Sequence, residues 1–524
     1  MVHLLQKTLY IKLILYLKNN MSLDFLLITP PSRLEVYQKL SGEFAAIEPP
    51  VWSMLIAKYL KNRGYSVEIL DAEADYLTHE ETADRIINRD PKLAVYMIYG
   101  QQPSASTQCM PGGTKTAKFV NTKAKNKIKS IVIGTHASAL PSRTLYEEPY
   151  DFVCQGEGPI TLEKLMYKIQ NNISDLTDVP GLWHKDKNKK IIGNKPAKMF
   201  DNLDENLPGQ EWDLIDLTKY KTHNWHSFHN FENREKYASL QTSLGCPFKC
   251  TFCCINAPFD RNTIRFWSPN HIFNQIKYLI EEHGIYNIKI PDEMFVLNPK
   301  QIHEICDLIM KYDYGKKLNI WAYSRIDTLN DDEMLRKMQK SGFKWLAIVI
   351  ESSSEHVRDG VIKGRFDNLD IEKIVRKVRE MGFYVGANYI FGLPDDDLES
   401  MKRTLDLAIK INSEWANFYS AMAYPGSQLY NIAKKNNWML PDNEGGPGWI
   451  GYSQHAYETL PLRTEKIKAS EVLSFRDKAF KEYFSNPNYQ ELLKKTFGQQ
   501  ASIHVDKMLK HDIKRKHLFE DVSY

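Results

Sequence analysis

Short apolar runs alternate with amphipathic stretches in two long series along this 524-residue chain, and that alternation restricts the fold to the α/β class. In the first series, residues 25–29 read as a strand ending at Pro30-Pro31, 51–63 as a helix stopped by Gly64, and 66–70 as a second strand. Residues 93–98, 130–134 and 152–154 are further strands, and 160–169 a closing helix. Strands separated by helices predict an open parallel sheet covered on both faces. Ligands of such sheets bind beyond the carboxyl ends of the strands. Unusual residues gather at those ends: Ser104, Ser106 and Thr107 after the third strand, Gly134 and His136 after the fourth, and Gly156, Glu157 and Gly158 after the fifth. Small residues there let backbone approach a large flat ligand, although ordinary tight turns use glycine too.

The second series places strands at 238–242, 287–290, 319–323, 345–350, 384–390 and 415–419. Six strand–helix units fall short of the eight in a closed barrel, so a partial (β/α)6 barrel is expected, with its chemistry at the carboxyl ends. Polar residues sit there as well: Asp292-Glu293, Arg325 with Asp327, Glu351-Ser352, Asn388, and Pro425 in a Tyr-Pro-Gly turn. Arg325–Asp327 reads equally as a local ion pair, and Asp292-Glu293 as a solvated helix start.

Between the first two strands of this series lie Cys246, Cys250 and Cys253, spaced C-x3-C-x2-C. Three thiolates this close can hold three corners of a cubane iron–sulfur cluster and leave the fourth iron open. A zinc site needs a fourth ligand, and neither Cys254 nor a histidine stands at a familiar zinc spacing. Buried core cysteines are the other bland reading. Only seven cysteines occur in the chain, four of them within nine positions, which chance placement explains poorly.

The cysteine motif, with Phe252 just before its third cysteine, resembles the signature of the radical S-adenosylmethionine (SAM) enzymes. The block before it resembles the cobalamin-binding domain of their cobalamin-dependent members: Pro30-Pro31, the Ser104–Thr107 loop, Gly134-x-His136 and Gly156-Glu157-Gly158 come in that order. The resemblance implies a Rossmann-like cobalamin domain, a partial TIM barrel as radical SAM core, and three cofactors: a 4Fe-4S cluster, SAM and cobalamin. Cys246, Cys250 and Cys253 would ligate the cluster, and no catalytic residue beyond them is assigned. Phe252 would pack near adenine, and Asp292-Glu293 would accept hydrogen bonds from the SAM ammonium. Arg325 would pair with the SAM carboxylate, and Glu351 would take the ribose or amino group. Ser352, Asn388 and Pro425 would complete the SAM pocket, and the loop residues of the sheet domain would contact cobalamin. The D-x-H-x-x-G motif of cobalt-ligating histidines is absent, so His136 is expected to touch cobalamin or pack, not to bind cobalt.

The implied activity is reductive SAM cleavage to a deoxyadenosyl radical, with methyl transfer to an unactivated carbon of a small-molecule or natural-product substrate. The alternatives are a cyclase or rearrangement using cobalamin as a relay, a non-catalytic sensor, and a structural zinc protein. A one-electron donor such as a flavodoxin or ferredoxin would be the partner. The net charge of +4 is small for this length and implies no nucleic-acid partner. Few cysteines fit a reducing, cytoplasmic setting.

The expected domains are an extension (1–21), the cobalamin domain (22–176), a linker (177–236), the radical SAM core (237–430) and a mostly helical C-terminal region (431–524). The apolar run at 9–17 is too short to span a bilayer. His223, His226 and His229 are expected at a surface or interface, and the tail near 514–516 is expected to be solvated or frayed.

Overall fold

The computed structural model describes residues 22–100, 105–234, 236–362 and 370–518. Residues 1–21, Ser104 and Lys363-Gly364 lie outside the described residues. The N-terminal sheet contains β1 (Phe25–Thr29), β2 (Val67–Asp71), β3 (Leu93–Met97), β4 (Lys129–Ile133) and β5 (Phe152–Cys154). β1 and β3 carry almost unbroken apolar runs because both faces of a parallel sheet are covered, and every residue of β3 is buried. The order is β2-β1-β3-β4-β5 with all pairs parallel, a doubly wound arrangement that reverses direction between β1 and β3. Flanking helices have local start signals, as in the Thr78/Glu81 capping box of His79–Arg89.

The sheet does not stop where the linker was expected. β6 (Leu182–Lys185) and β7 (Ile191–Gly193) add an antiparallel hairpin to its edge beside β5. The charged stretch 185–190 is the turn of that hairpin, so a segment that reads as a linker belongs to the sheet.

β8 (Tyr237–Ser239) opens the second unit. A two-stranded ribbon of β9 (Ser243–Leu244) and β10 (Arg265–Phe266) brackets the cysteines. The barrel continues through β11 (Asn287–Ile290), β12 (Asn319–Arg325), β13 (Phe343–Glu351), β14 (Tyr384–Phe391) and β15 (Trp415–Ser420). Its order is β15-β14-β13-β12-β11-β8, all parallel, a six-stranded partial barrel. The helices after β10 to β15 begin at Ser268, Asn298, Asp331, Asp370, Asp397 and Ser427, and each of these side chains accepts from a backbone N–H of the first turn. A cap of this kind is worth about 1 kcal/mol, so the beat of the barrel is written into its loops.

Residues between the hairpin and β8 plug the amino-terminal end of the barrel. The Trp225 ring lies 5.1 Å from Trp321, 4.9 Å from Trp345 and 6.4 Å from Trp415. His226 is fully buried between Thr222 Oγ1 (2.6 Å) and the Asn319 carbonyl (2.9 Å), and His229 packs on Tyr384 and Phe497. His226 seals the junction of plug and barrel, His223 is half-buried at the same interface, and His229 is exposed at its surface. The C-terminal region is helical over Ala469–Phe484, Pro487–Phe497 and Gln499–Leu509. Its tail is pinned, not frayed: Arg515 donates to both oxygens of Asp477 and to the Ala456 carbonyl, and the Lys516 N–H to Tyr457. Among the described residues no helix is long and apolar enough to cross a membrane.

Candidate active site

The cysteine loop is fixed by its own backbone. Asn256 accepts from the Cys246 N–H (3.1 Å) and donates to the Cys246 carbonyl (2.8 Å), while the Cys253 N–H reaches the Cys250 carbonyl. Gly245 turns into the loop at φ +88°, and a Cβ there would lie 2.3 Å from the Thr263 carbonyl oxygen. Only glycine meets both demands. Thr251 ties the loop to the barrel, donating to Val361 and accepting from Leu429.

Cys246, Cys250 and Cys253 line one cavity together with Phe252, Glu293, Arg325, Glu351 and Asn388. Among the described residues no three His, Cys, Asp or Glu side chains converge as ligands of a single ion. The thiolates of a cubane bind three different irons, so the shared cavity and not a common point is what a cluster requires. Burial pushes the Cys253 thiol well above its ordinary pKa, and neighbouring Cys254, Cys250 and Cys246 add to the shift.

The flanking residues divide their labour more sharply than their sequence suggests. Asp292 faces inward and is fully used: it accepts from the Thr242 N–H and from the hydroxyls of Thr242 and Ser243, bracing the strand that delivers the cysteines. Glu293 lines the cavity instead, and burial raises its carboxyl to about 8, with Asp292 adding to the effect. A buried carboxyl in that condition suits a cationic ligand such as the SAM ammonium. Glu293→Gln should weaken SAM binding about 10- to 100-fold, read by calorimetry on anaerobically reconstituted protein.

Arg325 forms a bidentate pair with Asp327 (2.9 Å twice) and stacks 4.0 Å over Phe248. The local ion pair and the wall of the cavity are thus the same residue. Glu351 sits at φ +62° where the β13–β14 register shifts, a strained backbone that ends the strand with its side chain at the cavity. Asn388 accepts from Asn417 (2.9 Å). Ser352 is used internally, bonding Thr404 and the Ser354 N–H. Pro425 is buried beside Gly426, whose missing side chain lets this turn approach Ala257 of the cysteine loop.

A second cavity opens where the sheet reverses, between the ends of β1 and β3, and extends to the cysteine loop. Thr29, Pro30, Tyr99 and Gly100 form its sheet side, and Gly245, Phe259 and Glu293 its barrel side. The Trp52 ring stacks flat on Tyr99 at 4.9 Å and 8°. Thr29 Oγ1 and the Tyr99 hydroxyl are buried there with no hydrogen-bond partner. A flat aromatic wall with orphaned polar atoms fits a corrin ring edged with amides.

The loop residues singled out in the sheet domain mostly build this cavity from behind. Ser106 donates to the Ile98 carbonyl and accepts from the His136 N–H (3.0 Å). His136 bonds Thr107 (3.2 Å) and packs 4.4 Å against Trp449, and burial lowers its pKa to about 3, so it is a neutral packing group. Gly156 donates to Ser138, and Gly158 caps the helix Pro159–Gln170. Glu157 makes a bidentate pair with Arg265 of β10 (2.7 and 3.2 Å), which ties sheet to barrel. Ser32, Trp52 and Gln108 line the cavity without having been expected there. The run of Pro30-Pro31 was the available signal for the first of them.

Sequence reading also missed Glu48. This carboxylate reaches from the sheet domain to Lys289 (3.0 Å), His223 (3.3 Å) and the Tyr237 hydroxyl (3.0 Å) inside the barrel. Burial opposes its ionisation, but Lys289 and His223 overcome that and hold it down to about 2. A depressed carboxyl stabilises the fold above its ordinary value of 4.5 and loses that contribution as pH falls towards 2. Glu48→Gln should therefore cost about 3–5 kcal/mol near neutral pH, and denaturant titrations should show this difference shrinking below about pH 4.5.

Two family models match the chain in the places this geometry marks. The B12 binding domain covers residues 37–166 and the Radical SAM superfamily residues 240–408. The chain thus carries a B12 binding domain followed by a radical SAM domain, the pair that the cobalamin-dependent radical SAM resemblance implies. The first domain of this radical SAM enzyme implies cobalamin, the second a 4Fe-4S cluster and SAM. It is 28% identical to an uncharacterized methyltransferase, PH0819, of Pyrococcus horikoshii over 80% of this chain and 85% of that one. It is 24% identical to an anaerobic magnesium-protoporphyrin IX monomethyl ester cyclase of Cereibacter sphaeroides, over 75% of this chain and 62% of that one. The fold is shared with the cobalamin-dependent radical enzyme OxsB (TM-score 0.68, 15% identity, 93% and 72% covered). It is also shared with the radical methyltransferase TsrM of Kitasatospora setae (TM-score 0.62, 15% identity, 89% and 90% covered).

Proposed function

We propose that this radical SAM enzyme transfers a methyl group to an unactivated carbon of a small molecule. The observation that carries the reading is the meeting of the two cavities: Ile255, Pro291 and Glu293 line both of them. When bound, the cluster and SAM supply a carbon-centred oxidant and cobalamin supplies a methyl group. The chain's own residues place these reagents against one substrate. Cys246, Cys250 and Cys253 hold the cluster, Glu293 takes the SAM ammonium, and Arg325 and Glu351 take its carboxylate and ribose. Tyr99, Trp52 and Gly100 seat the corrin. Phe252 packs near the adenine. Apolar walls such as Met294 and Ile390 exclude water, which would quench a radical.

The PH0819 and TsrM likenesses support methyl transfer over cyclisation. A small-molecule substrate is in keeping with the tryptophan-bound TsrM, and a flavodoxin or ferredoxin would supply the electron. The test uses SAM with a deuterated methyl group and strong reductant. Product carrying one CD3 in place of hydrogen, formed with deoxyadenosine, is the expected result. Deoxyadenosine formed with an unlabelled, rearranged product contradicts the proposal.

A further inference from the structure

A third cavity, of about 460 Å3, lies inside the partial barrel along β15 and opens beside the helix Ala469–Phe484. It is continuous with the other two. Tyr37 and Gln108 also line the cobalamin side, and Lys289, Tyr323 and Tyr419 also line the SAM side. Its volume falls in the range of small-molecule sites.

Three features of the chain shape it. The first is Gly386, on β14 one strand in from the edge of the barrel sheet, in register with Ala347 and Trp415. Its φ is not in the left-handed region, and a Cβ added to it would meet nothing within 4 Å. Neither backbone conformation nor crowding asks for glycine here. Glycine in a strand weakens it and marks close approach of another group, so the missing side chain leaves room for a ligand. The second feature is aromatic: Trp321, Trp415, Phe418 and Tyr419 line the space.

The third feature is charge. Arg476 reaches the cavity and is buried, donating to the Phe418 carbonyl (2.9 Å) and to Asp477 (2.8 Å). Arg515 claims both oxygens of the same Asp477 at 2.9 Å. Two guanidiniums therefore share one carboxylate. His455 stands 3.2 Å from Arg476, and burial together with Arg476 and Arg515 keeps its imidazole neutral. The other cations of this cavity are matched, Lys289 by Glu48 and Lys481 by Asp512. Among the described residues one positive charge thus remains unbalanced in a buried place, where an unpaired charge is costly.

We propose that this cavity is the substrate site, and that the substrate class is an aromatic small molecule carrying one carboxylate. The ring lies over the Gly386–Ala347 floor among the tryptophans, and the carboxylate meets Arg476. The assignment deepens the methyl-transfer reading, since this cavity adjoins both cofactor cavities, but its test is separate.

The test is calorimetric titration of the reconstituted holoenzyme, with SAM present, using 2-naphthoate, 2-naphthylmethylamine and naphthalene. Naphthoate should bind at least about tenfold more tightly than the amine or the neutral ring. Gly386→Leu should abolish naphthoate binding, and Arg476→Met should weaken it about 10- to 100-fold, both proteins retaining iron and cobalamin. Equal binding of the three probes overturns the anionic assignment. Naphthoate binding unchanged in Gly386→Leu overturns the site. Because the wild-type comparison of probes needs no variant, a variant that fails to fold does not rescue the proposal. Tight naphthoate binding without any label transfer to the natural acceptor would sink methyl transfer and leave the cavity assignment standing.

Discussion

Cys250→Ser empties the protein of its cluster and lowers deoxyadenosine formation by at least about a thousandfold, because no other group in the site can deliver the electron. Serine oxygen is a hard donor and a poor substitute for thiolate on an iron–sulfur cluster. The loop itself should survive. Its shape comes from the Asn256 clamp on Cys246, from Gly245, and from the Thr251 bonds to Val361 and Leu429, none of which uses a sulfur. Urea unfolding of the apo-proteins should therefore shift by no more than about 0.5 kcal/mol. Iron content near zero with unchanged apo-stability is the expected pair of measurements. A variant that keeps its iron contradicts the assignment, and one that unfolds contradicts the account of the loop.

Gly134→Ala should cost about 3 kcal/mol or more and empty the cobalamin cavity. A Cβ on Gly134 would lie 2.1 Å from the Ile98 carbonyl oxygen and 2.9 Å from its carbon. Those are backbone atoms just beyond the end of β3, with no flexible side chain to yield. The same carbonyl accepts from Ser106, which in turn receives the His136 N–H, so the clash would pass into the turn that supports the cavity. Gly386→Ala is the contrast. It meets nothing within 4 Å and should leave stability unchanged or raise it by about 0.5–1 kcal/mol. Denaturant unfolding of the two variants, with bound cobalamin measured spectroscopically, separates close approach from mere flexibility.

The contrast between these glycines also shows where sequence reading reached its limit. The sheet and barrel strands were legible because parallel strands are written as apolar runs between capped helices, and β1, β5 and β11 have the bounds expected for them. The cysteines were legible because three ligands fall on one short loop. What stayed hidden depends on contacts distant in sequence. Asp292 and Glu293 are adjacent acids, yet successive side chains leave the backbone on different sides, and only Thr242 and Ser243 decide which one is consumed. Ser106, His136 and Glu157 stand at the loops where a cofactor would be sought, but Ser106 is bonded to Ile98, His136 Nδ1 to Thr107 and Glu157 to Arg265, and His136 Nε2 is left buried without a hydrogen-bond partner. Glu48 finds Lys289 across 241 positions, and Arg515 finds Asp477 in a tail that reads as frayed. No local pattern announces either pair.

The central claim is that the cluster cavity and the cobalamin cavity open onto one another over a shared substrate space. Electron paramagnetic resonance on protein loaded with both the reduced cluster and cob(II)alamin tests it most directly. Two paramagnets in adjoining cavities should interact, so the doubly loaded sample should show broadened or split signals that neither singly loaded sample shows. A spectrum that is the simple superposition of the two singly loaded ones would place the cofactors apart and contradict the account.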